Sequence, residues 1–495
     1  MRRRIIPLSL AIVLLLAGVL YLRTRGAESP ARRLDAGNRI FSSNDPMKRA
    51  CDLGEEVLIR LWRGHHPTHS EDITTVPQAP NYSGSFGVTS HSGPWDYVQT
   101  IPLVLYGPGF VPDRGRIDEH ASIVDVYPTI SALLNVGLPA REGENLLGPT
   151  APLPAPPKLI VTVVWDGVGR NVLERWPDAW PNLARLEREG LSYLGATVGS
   201  SPSITPATHS SLGTGAFPRS HGVTAIEYRT EEGDVRGAFA GKDPTDLKLS
   251  TFADEVDRLL DNEPLVGMLA WKSWHMGMLG HGTQTEGGDG DELVLVNTHG
   301  DLTGNEALYT FPSGLESLEG RLEARAEQVD KADGESDGKT RGRDIIEMHD
   351  NPAWVYYQED LLLGMLEQGG YGQDAVPDLF FTNFKVTDIV SHQYSMDSKD
   401  EEIALRAQDA TLGRLVEYLD KEVGDYVVIV TADHGNTPAP NTTGAWPIQQ
   451  GQLQEDIDAH FEVPKGSSLI ETTSAAGPFL DHATGEKLGI EPDDI

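Results

Sequence analysis

The residue best placed for nucleophilic chemistry is Thr205, within the stretch Ser201–Gly215. This stretch predicts a turn that carries Thr205, followed by a short helix whose first N–H groups point back at the threonine. The N-terminus of a helix favours an anion, because these N–H groups lack partners and the helix dipole is positive there. A threonine hydroxyl becomes a nucleophile only when its pKa is lowered, and a metal ion is the usual agent. The rest of the chain therefore has to supply a metal site.

Three apolar, β-branched runs of the sequence each end in residues that bind metal ions. Such runs are typical of buried parallel strands, and open α/β sheets bind ligands at the C-terminal edge of these strands. Any one aspartate could instead cap a helix or turn, but the repetition at three strand ends favours a metal site. Aspartate and histidine suit zinc or manganese, and two such ions would activate the hydroxyl and hold a phosphoryl group. The candidates are Asp166 after the run 158–165, Asp388 and His392 after 377–385, and Asp433 and His434 after 425–432.

Strand and helix signals alternate along the chain, which is typical of an α/β fold. We expect a mostly parallel central sheet with helices on both faces. The region of about 280–345 is rich in glycine and acidic residues with weak periodicity, which predicts an inserted cap. Further strands are predicted around 193–198, 265–271 and 292–297, and helices around 181–189, 351–367 and 401–421.

The proline-rich stretch 152–157 predicts a linker between two parts of one domain. We expect residues 151–495 to form the main catalytic part and residues 26–150 to complete it. In the earlier part, 101–109 predicts a short strand that ends in Gly-Pro-Gly, and 125–134 predicts an amphipathic helix.

The 495-residue chain carries a formal net charge of -34. Such a charge repels a phosphate backbone, which excludes general binding of duplex nucleic acid. The single cysteine, Cys51, excludes an internal disulfide framework and a cysteine-based metal cage.

Residues 1–25 predict a membrane anchor or signal segment. Three arginines precede Ile5–Leu22, which has no charged residue and is long enough to span a bilayer as a helix. We expect a signal anchor with the bulk of the chain outside the cytoplasm, and a cleaved signal peptide with a secreted product is the alternative.

Five motifs in this order resemble the metal-dependent phosphodiesterase and nucleotide pyrophosphatase branch of the alkaline phosphatase superfamily. Each motif is weak alone, whereas their combination is specific and spans most of residues 158–440. The motifs are Val164–Gly167, Thr205–Gly215, Pro218–Gly222, Asp388–His392 and Thr431–Gly435.

The resemblance implies an alkaline phosphatase-like fold and two divalent ions, zinc first and manganese as the alternative. It assigns Thr205 as the nucleophile, because this threonine stands four residues before His209 as in the family's motif. It also implies attack on phosphorus, a phosphothreonine intermediate and hydrolysis of that intermediate. By position, Asp166, Thr205, Asp433 and His434 would bind one ion, and Asp388 and His392 the other.

Two features differ from the family's pattern. Many members carry an asparagine shortly after the His-Gly pair, but none follows His221 and Gly222 here. Lys272 could replace it as a phosphate-binding charge, although an ordinary surface lysine fits the sequence as well.

The second difference is the order of the motifs. The family's last metal-binding histidine, with its following strand and helix, normally comes after the Asp-His-Gly block. Here the matching block lies near the N-terminus, with His91 as the histidine and 101–109 and 125–134 as the strand and helix. The chain therefore resembles a circular permutation of the usual order, which is tolerated where the termini of a domain lie close together.

We expect a membrane-anchored two-metal hydrolase of a small-molecule phosphoric ester, whether phosphodiester, nucleotide or phosphomonoester. The alternatives are a phosphomutase or phosphotransferase of the same superfamily and a non-catalytic binding relative. A sulfatase is disfavoured, because that branch uses a modified cysteine or serine where Thr205 stands. The sequence leaves the ester preference and the oligomeric state open.

Overall fold

The computed structural model describes residues 46–84, 87–148, 153–244, 247–318 and 320–495. The predicted membrane segment Ile5–Leu22 lies outside these residues. Among the residues described, no helix is both long enough and apolar enough to cross a bilayer.

A nine-stranded mixed sheet forms the centre of the protein. Its strands lie side by side in the order β7-β6-β5-β8-β3-β9-β1-β4-β2. In chain order they are β1 (Leu103–Tyr106), β2 (Gly115–Ser122), β3 (Leu159–Trp165), β4 (Leu191–Thr197), β5 (Val266–Ala270), β6 (Glu292–Val296), β7 (Leu302–Thr303), β8 (Asp378–Phe384) and β9 (Tyr426–Thr431).

The sheet is mostly parallel, as predicted. Strands β6, β5, β8, β3 and β9 run parallel to their neighbours within this group. Strand β1 is antiparallel to both β9 and β4, and the edge strand β7 is antiparallel to β6. The segment 26–150 therefore contributes β1 to the interior of the sheet and β2 to its edge.

Helices surround the sheet. They are α1 (Pro46–Cys51), α2 (Glu55–Gly64), α3 (Asp96–Gln99), α4 (Val126–Leu134), α5 (Arg170–Arg175), α6 (Pro181–Glu189), α7 (Thr205–Thr214), α8 (Pro218–His221), α9 (Phe252–Leu259), α10 (Arg321–Asp333), α11 (Pro352–Gly369), α12 (Val386–Tyr394), α13 (Lys399–Glu422), α14 (Pro440–Thr443), α15 (Gln450–His460) and α16 (His482–Leu488).

Two apolar cores lie on opposite faces of the sheet. Every residue of β3 is buried, and its side chains alternate between the two cores, with Ile160 in one and Val161 in the other. Helices α4, α7 and α9 supply residues to the first core, and α11 and α13 supply residues to the second. This alternation follows from the two-residue period of a strand and explains the continuous apolar runs of the sequence.

The region of about 280–345 supplies regular structure to the sheet itself. It contains β6 and β7, which form one edge of the sheet, and the 13-residue helix α10. The weak periodicity of its sequence is explained by this edge position, where short strands alternate with polar turns.

Candidate active site

Three strand ends place three aspartates at one edge of the sheet. Strand β3 lies between β8 and β9 and is parallel to both. Asp166 directly follows β3, Asp433 follows β9, and Asp388 lies on α12, which begins just after β8. All three side chains are buried. Parallel strands in register end at the same edge, which brings the three carboxylates together as predicted.

The first group of ligand atoms comprises Asp166, Asp433 and His434, whose atoms lie within 4.8 Å of one another. His434 Nε2 is 3.6 Å from Asp166 Oδ1 and 3.3 Å from Asp433 Oδ2. The backbone N–H of Gly167 donates to Asp433 Oδ1 at 3.0 Å. The carboxylate of Asp433 is therefore held at one oxygen, and its other oxygen faces His434.

The second group surrounds Asp388. The Nε2 atoms of His91 and His392 lie 3.7 Å and 3.4 Å from Asp388 Oδ1. The His91 ring also stacks on the ring of His434, and one atom each of His91, Asp388 and His434 lie within 4.8 Å of one another. The structure thus places His434 against both groups, whereas the family resemblance assigned it to one.

The three histidines share one orientation. A backbone carbonyl accepts a hydrogen bond but cannot donate one, so each Nδ1 carries a proton. Each Nε2 faces a carboxylate oxygen at 3.3 to 3.7 Å, an arrangement that a metal ion between the two atoms would satisfy. The Nδ1 atoms of His91, His392 and His434 lie 3.1, 2.9 and 3.1 Å from the carbonyl oxygens of Ser203, Thr89 and Gly435.

Buried polar atoms without partners occur in both groups. Within the part of the chain that the structure describes, Asp388 Oδ1, Asp433 Oδ2 and His434 Nε2 have no hydrogen-bond partner. Such atoms cost free energy unless a ligand satisfies them. Carboxylate oxygen and imidazole nitrogen are ligands of zinc and manganese. The residues present therefore fit divalent metal ions at both groups.

A buried lysine that the sequence analysis did not single out lies between the two groups. Lys385 Nζ is 2.9 Å from Asp166 Oδ1 and 2.9 Å from Asp388 Oδ2. Lys385 directly follows β8, just as Asp166 directly follows β3. A search for charged residues at the ends of apolar strands, which identified the aspartates, could therefore have identified this lysine too.

Thr205 lies at the start of α7, a helix that is buried along its whole length. The ammonium group of Lys385 donates a hydrogen bond to Thr205 Oγ1 at 3.3 Å. Because the same ammonium contacts Asp166 and Asp388, the threonine hydroxyl lies beside both groups of ligand atoms. The predicted helix is thus present, with Thr205 as its first residue rather than in the turn before it, and it places the hydroxyl next to the carboxylates.

A series of hydrogen bonds, which the sequence analysis also did not predict, connects Thr205 with Asp166. Asn383 Nδ2 donates to Asp166 Oδ2 at 3.2 Å and to His209 Nε2 at 3.0 Å. His209 Nδ1 donates to the carbonyl oxygen of Thr205 at 2.8 Å. The four-residue spacing of the motif puts His209 one helical turn after Thr205, which explains this contact. Both ring nitrogens of His209 therefore have protein partners, and neither is open to a metal ion.

Lys272 and His275 approach the site from the end of β5. His275 is buried, with Nε2 3.4 Å from Asp166 Oδ2 and Nδ1 2.8 Å from the carbonyl oxygen of Lys272. The Lys272 side chain is exposed, and its Nζ lies 4.3 Å from the ring centroid of Trp274. The protein around the Lys272 ammonium removes part of its water, and this desolvation lowers its pKa. The positive charge of Lys385 lowers the pKa further. Lys272 is thus exposed and close enough to the site for the charges of Lys385, Asp388 and Asp166 to act on it.

Opposite charges keep two of the carboxylates ionised. Burial opposes the negative charge of Asp166 and Asp388, but the Lys385 ammonium beside them holds both pKa values well below the ordinary value. Burial and then the charge of Asp166 raise the pKa of Asp433. Burial lowers the pKa of His434 to about 4, so this imidazole is neutral at neutral pH.

All seven residues predicted to bind metal lie at this one edge of the sheet, including His91 from the N-terminal segment. Their roles as ligands, and that of Thr205 as nucleophile, stay predictions. Lys272 lies at the rim rather than inside the buried cluster.

Comparisons with known proteins agree with this fold. Alkaline phosphatase PhoK of Sphingomonas sp is 32% identical over 87 residues, which cover 17% of this chain and 16% of PhoK. The calcium-transporting ATPase of Myroides odoratus is 22% identical over 389 residues, which cover 68% of this chain and 66% of that protein. The match therefore spans only a small part of PhoK and just under two thirds of the Myroides protein.

A solved structure shows the same architecture. Wild-type alkaline phosphatase PafA superposes with a TM-score of 0.53 at 16% identity, over 68% of this chain and 75% of PafA. The model of the type I phosphodiesterase / nucleotide pyrophosphatase family matches residues 160–487, well over half of the chain. The resemblance found in the sequence motifs is confirmed: this chain belongs to the type I phosphodiesterase / nucleotide pyrophosphatase family.

Proposed function

We propose that the protein hydrolyses phosphoric esters with two divalent metal ions and Thr205 as the nucleophile. The observation that carries the proposal is the position of Thr205, at the start of a buried helix and beside both groups of Asp and His ligand atoms. Family membership and the relatives named alkaline phosphatases support hydrolysis of a phosphoric ester.

The donor atoms divide between two ions as the family's motifs imply. Bound ions would lower the pKa of the Thr205 hydroxyl and offset the negative charge of the phosphoryl oxygens. The mixture of nitrogen and oxygen ligands favours zinc, with manganese as the alternative. Asp166, Thr205, Asp433 and His434 would hold one ion, and Asp388, His392 and His91 the other.

The chain's own residues carry the chemistry on phosphorus. Thr205 Oγ1 forms a bond to phosphorus as the bond to the ester oxygen breaks, and the alcohol leaves. Water then attacks the phosphothreonine, which releases phosphate or a phosphomonoester and restores the hydroxyl. The N-terminus of α7 and the Lys385 ammonium supply positive charge next to the transferred group.

Lys272 is the proposed contact to the substrate's phosphoryl oxygens from the rim. Its exposed ammonium is free to reach a substrate in the mouth of the site, and Trp274 beside it limits its range of positions. This contact would take the place of the asparagine that the sequence lacks after His221.

The circular permutation is also proposed. The family match starts at residue 160 and so does not include His91 or β1. Yet β1 lies between β9 and β4 in the central sheet, and His91 lies 3.7 Å from Asp388. These placements support the hypothesis that the N-terminal segment replaces a block that other members carry after the Asp-His-Gly motif.

Membrane anchoring and an extracytoplasmic location are proposed from the sequence alone. Ile5–Leu22 is an uncharged apolar stretch behind three arginines. Removal of residues 1–25 should convert a membrane-bound protein into a soluble one with unchanged turnover, and fractionation of the full and shortened chains would check this.

Turnover of purified protein on an aryl phosphate monoester, an aryl phosphodiester and a nucleotide tests the proposed function. Hydrolysis of at least one should be lost after exhaustive chelation and restored by zinc or manganese. Metal content, measured on the same sample, should fall and recover by two equivalents. Full activity after complete chelation would rule out the two-metal mechanism, and no hydrolysis of any ester by metal-loaded protein would rule out the proposed function.

A further inference from the structure

Three aspartates converge near the N-terminal end of β6, whereas the candidate active site lies at the C-terminal ends of the parallel strands. Asp257 lies in the last turn of α9, and Asp289 and Asp291 lie in the loop that leads into β6. One carboxylate oxygen of each lies within 4.8 Å of the other two. None of these residues belongs to the family motifs, and the proposed hydrolysis does not use them.

Two of the three carboxylates are buried, with exposed fractions of 3% for Asp257 and 6% for Asp291. Asp257 Oδ1 is a buried oxygen with no hydrogen-bond partner among the described residues. The groups that act on Asp291 are the carboxylates of Asp257, Asp254 and Asp289, all of the same charge. Buried carboxylates that lie this close together repel one another unless a cation lies between them.

Asp254, one turn earlier on α9, differs from Asp257 because both of its carboxylate oxygens accept hydrogen bonds from the protein. Its Oδ1 accepts from the backbone N–H of His281 and from the hydroxyl of Thr285. Its Oδ2 accepts from the backbone N–H of Thr251 and from the His281 ring. The fold therefore satisfies Asp254 fully with protein donors and leaves its neighbour Asp257 with an open oxygen.

Burial and the like charge of Asp289 raise the pKa of Asp257 to about 7, and burial with the charge of Asp257 raises the pKa of Asp291. These raised pKa values reflect repulsion between the carboxylates, as their short separations imply. A cation between the oxygens would remove that repulsion. Asn262 adds a further oxygen nearby. Its Nδ2 donates to the carbonyl oxygen of Gly287 in the same loop, and its own Oδ1 is buried with no hydrogen-bond partner in the described part of the chain.

We propose that Asp257, Asp289 and Asp291 bind a calcium ion that joins helix α9 to the loop before β6. The donor set consists of oxygen only, which suits a hard cation and not zinc. Three residues of this loop, Gly287, Gly288 and Gly290, have no side chain to fill the space. Calcium takes six to eight oxygen ligands, and water would supply the remainder. The ion fixes the edge of the sheet and stabilises the fold, and it takes no part in the reaction.

Calcium titration of the full chain, with its active-site ions kept loaded, tests the proposal. The thermal midpoint and isothermal titration calorimetry report binding, and terbium luminescence sensitised by nearby aromatic residues reports a calcium-type site. The variants are Asp257→Asn/Asp291→Asn and, as a matched control, Asp118→Asn on the exposed face of β2.

Wild type and Asp118→Asn should bind one calcium equivalent, with a rise of several degrees in thermal midpoint. The double variant should show neither effect, and without calcium it should be at least as stable as wild type, because the repulsion is gone. An unchanged wild-type midpoint, the same rise in the double variant, or an equal response to magnesium overturns the assignment. If the double variant does not fold, Asp289→Asn, which changes an exposed residue, should weaken calcium binding at least tenfold, and unchanged affinity overturns the proposal.

Discussion

The imidazole rings of His91 and His434 stack with their centroids 3.5 Å apart and their planes 12° apart. His91 comes from the N-terminal segment, and His434 follows β9, so the contact joins two distant parts of the chain. Because His91 Nε2 also faces Asp388, one ring contacts residues of both ligand groups. The cluster of candidate ligands is therefore complete only when the N-terminal segment is in place.

Replacement of His91 tests this dependence. His91→Ala should lower the bound metal by about one equivalent and lower kcat/KM by about 100-fold or more, since one ion loses an imidazole ligand. The matched control is His120→Ala, which removes an exposed histidine of β2 and should leave both values unchanged. Metal analysis with kinetics on the same samples distinguishes the two. Full metal content and turnover in His91→Ala would exclude this histidine as a ligand.

Thr205→Ala should reduce turnover by about three orders of magnitude or more, because the attacking oxygen is gone. Most of the metal should remain, since only one ligand of several is lost. Thr205→Ser keeps a hydroxyl and should retain part of the activity. Trapping of phosphate on wild type and Thr205→Ser, detected by mass spectrometry, checks the intermediate. A tenth or more of wild-type activity in Thr205→Ala would falsify the role of this threonine.

Lys385→Met should lower turnover of the metal-loaded protein by about 100-fold, because a positive charge next to the Thr205 hydroxyl is removed. The metal content should not fall, since no ligand is changed and Asp166 and Asp388 lose a competing cation. Lys385→Arg keeps the charge and should recover part of the rate. If Lys385→Met instead lost metal but kept a normal rate for each metal ion still bound, Lys385 would serve only to hold the metal ligands in place.

The catalytic strands were predictable because their signal is local. β3, β8 and β9 are apolar on both faces, and each is followed within a few residues by a candidate metal ligand, so composition alone indicated them. Strand β2 was not predicted, because it lies at the sheet edge and carries Arg116, Asp118 and Glu119 towards solvent. Helix α10 was not predicted either, because it lies in a polar, glycine-rich region whose sequence shows only weak periodicity.

The contacts between site residues were harder to predict than the residues. Asp166, Asp388 and Asp433 were found from spacing, but the bridge from Asn383 to His209 depends on how α7 packs against β8. Lys385 resembled an ordinary polar residue at the end of a strand. Only the fold shows that its ammonium is buried between two carboxylates, because this placement depends on side chains distant in sequence.

Helix α7 depends on a close backbone approach at Gly213. A Cβ atom at this position would lie 2.0 Å from the carbonyl oxygen of Gly277, so Gly213→Ala forces backbone to move. We expect a loss of roughly 2–4 kcal/mol in the free energy of unfolding. The control, Gly451→Ala in exposed helix α15, meets nothing within 4 Å and should gain up to about 1 kcal/mol. Denaturant unfolding of both variants measures the difference, and equal stabilities would mean that α7 can shift freely.

The pair Asp254–His281 predicts a dependence of stability on pH. The His281 ring lies 2.9 Å from Asp254 Oδ2 through Nδ1 and 2.9 Å from the carbonyl oxygen of Leu247 through Nε2. Both partners accept hydrogen bonds, so the ring is held as the doubly protonated cation. Burial opposes this charge, but the Asp254 carboxylate outweighs it and raises the pKa of His281 above the ordinary value.

A raised pKa in the folded state means that the stabilisation is complete below the unfolded pKa of about 6.5 and declines as the pH rises through the folded value. His281→Gln should therefore cost roughly 1–3 kcal/mol at pH 6 and clearly less at pH 9.5. Denaturant unfolding at both pH values, with calcium and active-site metal held constant, measures the two losses. His120→Gln, an exposed histidine on β2, is the control and should change little at either pH. A loss that stays constant or grows as the pH rises would mean that His281 is neutral in the fold and that Asp254 does not hold its proton.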